Sequence, residues 1–143
     1  MNNTNAKLLI AALGNSGMAF SMRNYFSVNG HPLSDYVDEV VSYKNHCGTA
    51  ACLAGHAALL SGAKRGRIQH VAESWLDIEW ADAHWLVNGQ FSWRKDTTSV
   101  GNYYNWDFLN DVTKNETIAA LRWLMAGNSR YNWIPSKEND NDQ

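Results

Sequence analysis

The chain has little cysteine: Cys47 and Cys52 are the only two in 143 residues, too few for a disulfide framework. It also lacks any apolar run near the roughly 18 residues that a membrane-spanning helix needs, so no membrane partner is expected. The stretch from Leu8 to Leu13 is apolar but short, and it lacks the flanks of a secretory signal peptide. A cytoplasmic location is the expectation. Charge of one sign is missing as well, with 12 Lys and Arg against 14 Asp and Glu and a formal net charge of -2. Without an extended basic block, binding to extended duplex nucleic acid is not expected. Neither the Gly-x-x-x-x-Gly-Lys-Ser/Thr loop nor the Gly-x-Gly-x-x-Gly turn occurs, so the common phosphate-cradling motifs are absent. No repeat and no linker composition divides the chain. One helical domain over residues 1–136 and a flexible polar tail over 137–143 are expected.

Aromatic residues, in contrast, are plentiful. Trp75, Trp80, Trp85, Trp93, Trp106, Trp123 and Trp133 fall mostly in the second half. Tryptophans are large enough to dominate a core, and their indole N–H needs a partner when buried. Some of them are also suited to line a groove.

The local patterns predict a mainly α, compact single-domain fold with a long aromatic loop. A first helix is expected over Asn5 to Leu13, with Leu8, Leu9, Ala12 and Leu13 on its apolar side. Gly14-Asn15-Ser16-Gly17 ends it. Met18 to Phe26 reads as an irregular segment across the core, and Ser27 to Pro32 as a turn in which Pro32 keeps His31 out of helical dihedrals. Asp35 to Tyr43 fits a short helix or a short strand, because Val37, Val40 and Val41 have helical spacing but strand-favouring side chains. Thr49 is the expected cap of a helix from Ala50 to Leu60. Along it Ala51, Gly55, Ala58 and Gly62 form a small-residue stripe that admits a close neighbour. Gly55 in that helix costs roughly 1 kcal/mol against alanine, which calls for a packing or ligand reason. Gln69 to Leu76 forms the next helix, and Asp77 is expected to begin another that reaches Val87 and stops at Asn88-Gly89. Phe91 to Trp106 reads as a long ordered loop with a short hairpin near Gly101. Thr113-Lys114-Asn115-Glu116 has the capping-box pattern and opens a last helix that stops at Gly127, after which Tyr131 to Ile134 packs back.

Chemistry concentrates in His46 to His56. Cys52 and His56 are four apart and share a helical face. Cys47, Cys52 and His56, with either His46 or His70, make a possible four-ligand zinc set, although the spacing is not a usual paired-cysteine knuckle. A buried thiol in an alanine-rich run is the structural alternative for Cys52, and a helix-locking hydrogen bond is the alternative for His56. Cys47 precedes an expected helix start, a setting that lowers a thiol pKa, and is the candidate nucleophile, with His31, His70 or His84 as a base. The same helix start offers Gly48 and Thr49 to an anion. Arg65 and Arg67 would add charge, and Trp93 and Trp106 would add stacking surfaces. The run containing both arginines is equally compatible with a solvated loop. Asp77, Glu79 and Asp82 fit a solvated helix face more simply than a paired-carboxylate site.

The segment Cys47 to Ala57 reads Cys-Gly-Thr-x-x-Cys-x-x-Gly-His-Ala. In this it resembles a set of small uncharacterised proteins of bacteria and their phages. Phe20-Ser21-Met22, Trp75 to Ile78, Ala81 to Ala83, Ile118 to Leu121 and Trp133 extend the resemblance loosely. It implies a phage or bacterial accessory protein and transfers no catalytic role. The leading expectation is a binding protein for a host protein or a small anionic or nucleotide ligand, with a counter-defence role by analogy and no cofactor. A cysteine-dependent hydrolase using Cys47 is the alternative, and a structural zinc protein the third reading.

Overall fold

The structure, a computed structural model, describes residues 1–15, 19–43, 49–95 and 106–140. Helix α1 spans Asn3–Asn15, longer at both ends than its pattern predicts. Asn2 Oδ1 accepts from the Asn5 amide at 3.0 Å and satisfies one of its starting donors. Ala6, Leu9 and Leu13 point inward, whereas Leu8 stays exposed.

Among the described residues four short strands form one mixed sheet: β1 (Ala19–Phe20), β2 (Phe26–Val28), β3 (His31–Pro32) and β4 (Thr49–Ala51), in the order β1-β4-β2-β3. β4 runs parallel to β1 and antiparallel to β2. The expected turn between Ser27 and Pro32 is the tip of a hairpin. Asn29 and Gly30 both take positive φ, 51° and 83°, as a two-residue hairpin turn of matching twist requires.

The expectation that Thr49 caps a helix from Ala50 is overturned. Thr49 to Ala51 is the strand β4, and its helix, α3 (Leu53–Leu60), starts after Cys52. Ala50 pairs with Ala19 on one side and Ser27 on the other, and Ala51 pairs with Phe20 and Phe26. Ladder bonds on both edges outweigh the local helical preference of alanine. Helix α3 is enclosed, with Leu53 to Ala58 all buried, as expected of a helix apolar all round.

The ambiguous Asp35-to-Tyr43 segment is helical, as α2 (Val37–Val40) followed by a 3-10 turn over Val41–Tyr43. Val37 and Val40 face the core. Helix α4 spans Ile68–Leu76. Asp77 ends it rather than beginning the next one. Its φ of 51° is left-handed, and the amides of Asp77 and Ile78 reach back to the carbonyls of Ser74 and Glu73, both at 3.3 Å. That pairing is a Schellman stop, which an aspartate tolerates better than most residues. Helix α5 therefore covers Trp80–Val87.

Helix α6 (Lys114–Met125) opens on the capping box its sequence predicts. The Glu116 amide donates to Thr113 Oγ1 at 3.1 Å, and the Thr113 amide donates to Glu116 Oε2 at 3.0 Å. Of the Tyr131-to-Ile134 segment beyond it, Trp133 packs back. Tyr131 and Ile134 of the same segment are exposed. A 3-10 turn covers Lys137–Asp140.

Trp133 joins an edge-on aromatic cluster with Trp85 and Trp123, at centroid distances of 5.8 and 5.7 Å, and Trp85 in turn meets Phe91. The result is a mainly helical single domain with a small mixed sheet and an aromatic cluster. Among the described residues no helix is long and apolar enough to cross a membrane.

Candidate functional site

The segment before α2 is stitched to the segment before α4. Tyr36 and Arg67 form an isolated antiparallel bridge. On its flanks Val37 N–H donates to the Gly66 carbonyl at 2.9 Å, and Ile68 N–H to the Asp35 carbonyl at 2.8 Å. Residues 31 positions apart are thereby set side by side, and Asp35 lies at the start of α4. The first turn of α4 adds Gln69 and His70. Helix α5 adds Trp80 and His84, four apart and so on one face.

Asp35, Arg67, Gln69, His70, Trp80 and His84, with Tyr25, line a cleft of about 230 Å³. Trp80 is 65% exposed, unusual for a tryptophan, and its ring lies 4.6 Å from that of His84. Asn88, one turn further on, bonds His84 Nδ1 through its amide nitrogen. The Arg67 guanidinium sits 5.5 Å from the centre of the Tyr36 ring, a cation–π contact that braces it.

A second cleft, of about 400 Å³, adjoins the first and shares Tyr25 and Asp35 with it. Arg23, Asn24 and Leu33 line it from the sheet side, and Val87, Asn88 and Leu109 from the helical side. Tyr25 Oη donates to Gln69 Oε1 at 2.7 Å, and Gln69 Nε2 donates to Glu73 Oε1 at 3.0 Å. Burial pushes the Tyr25 phenol up to about 12, with negative charge at Cys52, Asp35 and Glu73 adding to the effect and Arg67 opposing it. The phenol therefore stays a hydrogen-bond donor at neutral pH.

Cys52 also contributes to the larger cleft, yet it is only 1% exposed. Burial pushes its thiol up to about 11, against the amides of Gly55, Ala54 and Cys52 itself, which pull the other way. A protonated, enclosed thiol is a packing group, not an activated nucleophile. His56 lies buried one turn along α3, and its Nδ1 donates to the Cys52 carbonyl at 2.9 Å. Among the described residues no group of three or more His, Cys, Asp or Glu is placed to hold a metal ion.

The sequence-derived candidates are scattered. Arg67 lines the smaller cleft, while Arg65 is exposed in the preceding loop and lines neither cleft. Trp93 is covered by Arg94 and by Lys137, 4.5 and 4.8 Å from its ring centre. The Thr49 backbone is in β4. Cys47 and Gly48 lie outside the described residues, as do the Thr49 and Trp106 side chains and the region about Gly101. His70 and His84, considered as bases for Cys47, both line the smaller cleft. Tyr25, Asp35, Gln69 and Trp80 were missed as site residues. The pairing of residues 35–37 with 66–68 that joins them has no local sequence signature, and the four-residue step from Trp80 to His84 is the one signal available.

Compared with known proteins, the chain matches no family model, no curated protein and no solved structure.

Proposed function

We propose that this chain is a non-enzymatic accessory binding protein that takes a small anionic ligand in the cleft between the start of α4 and the face of α5. The supporting observation is that Arg67, His70 and His84 converge from two helices on one cleft of about 230 Å³. Arg67 supplies a permanent charge and a planar set of donors, suited to phosphate or carboxylate oxygens. The two imidazoles supply ring N–H donors. Trp80 offers an exposed ring at the mouth, a surface against which part of a ligand can stack. The bacterial or phage setting and a counter-defence role belong to the same proposal, on the resemblance of the Cys47–Ala57 segment. The hydrolase reading gains nothing from Cys52, whose thiol is buried and raised.

Titration with inorganic phosphate and with adenosine monophosphate, followed by calorimetry and tryptophan fluorescence, tests the proposal. Both anions are expected to bind, and Arg67→Ala to weaken each about tenfold, equivalent to about 1.4 kcal/mol. Failure of both to bind, or unchanged affinity in Arg67→Ala, overturns it.

A further inference from the structure

We infer that the ligand of this site is a ribonucleotide, with its phosphate against Arg67, His70 and His84, its ribose hydroxyls on Asp35, and its base in the adjoining larger cleft. This rests on the anion-binding function proposed above and names the ligand class.

The argument begins with Asp35. This residue lines both clefts, at the boundary they share. A carboxylate has the wrong sign for a phosphate and accepts hydrogen bonds without donating any. It suits a group rich in hydroxyl donors, placed next to the anion but not at it. A ribose diol has that character, and an acidic side chain on ribose hydroxyls is a recurrent pairing.

The larger cleft supplies the remaining part. Its volume of about 400 Å³ lies in the range of small-molecule sites. Its lining combines the apolar side chains of Leu33, Val87 and Leu109 with the amides of Asn24 and Asn88. A planar base fills apolar walls, and an asparagine amide pairs donor and acceptor with the edge of adenine. Asn88 also bonds His84 of the smaller cleft, so the base and phosphate ends share a hydrogen-bonded pair along α5. Inorganic phosphate alone would leave Asp35 and the larger cleft unused.

The test is calorimetry on the full chain with three titrants: adenosine monophosphate, its 2′-deoxy analogue, and inorganic phosphate. The wild-type protein is expected to bind the ribonucleotide about tenfold more tightly than the deoxy form, and phosphate more weakly than either. Asp35→Asn leaves the backbone carbonyl that pins α4 in place. It is expected to bring the ribo-to-deoxy ratio near one without weakening phosphate binding. Equal affinity for the two nucleotides in the wild type, or a ratio that survives Asp35→Asn, overturns the inference. Phosphate binding as tight as that of the nucleotide overturns it while leaving the anion site standing. Binding of none of the three overturns both.

Discussion

The backbone carbonyl oxygen of Tyr25 occupies the space where a side chain on Gly55 would stand. A Cβ there would also lie 2.9 Å from the Ala51 Cβ and 3.3 Å from the Phe26 ring. The same carbonyl accepts from the Cys52 amide at 3.3 Å, so the start of α3 holds the chain at Tyr25, which borders both clefts. This close approach is the packing reason for a glycine inside a buried helix.

Gly55→Ala must therefore push apart β2 and α3. Overpacking of this kind costs about 1–3 kcal/mol, and a backbone obstacle puts this case at the upper end. Gly14→Ala is the control, because a Cβ at Gly14 meets nothing within 4 Å and α1 gains up to about 1 kcal/mol of helix propensity. Denaturant unfolding of both variants checks the pair. Equal stability of Gly55→Ala and wild type would contradict the packing described.

Glu116 ties the Ser92-to-Arg94 segment to the start of α6. It is only 2% exposed, accepts from Ser92 Oγ at 2.9 Å and from the Thr113 amide at 3.0 Å, and pairs with Arg94. Glu116→Ala is expected to cost about 1–3 kcal/mol, the range for leaving buried donors such as Ser92 Oγ without their acceptor, because Arg94 keeps some access to solvent. Glu116→Gln keeps an acceptor for the cap and is expected to lose less. Thermal or urea unfolding of the two variants reads the difference, and an order reversed between them would contradict this role.

Stability is expected to fall on the alkaline side. Cys52 is raised from 9.0 to about 11 in the folded chain. Between those values the unfolded chain loses a proton that the folded chain keeps, so stability drops as pH rises through the window. Below pH 9 both states hold the proton and the effect vanishes. Its full size is about 2–3 kcal/mol. Tyr25, raised from 10.0 to about 12, adds a loss of the same sign in a higher window. Urea unfolding at pH values from 8 upward should show the decline, and Cys52→Ala should make it shallower. A slope unchanged by Cys52→Ala would contradict the thiol's share.

What was legible in the sequence follows from the range of the forces involved. The Thr113–Glu116 box is a four-residue pattern whose bonds close within itself, and it forms as written. The stop at Asn88-Gly89 and the small-residue reason for Gly55 are similarly local or compositional. β4 was hidden because Thr49-Ala50-Ala51 carries no strand pattern of its own. It becomes a strand only when β1 and β2 arrive on either side. Asp77 was misread because an acidic residue before an apolar run suits a helix start, while its left-handed stop depends on how the preceding carbonyls are satisfied. Arg67 was singled out for its charge, but its cleft partners Asp35 and Tyr25 come from loop segments brought in by long-range pairing.

The most direct test of the anion site is the proton NMR spectrum of the histidine rings during titration with adenosine monophosphate. The account predicts that His70 and His84 shift along one saturable isotherm while the exposed His31, which lines neither cleft, stays unchanged. Shifts absent from His70 and His84, or equal at His31, would contradict it.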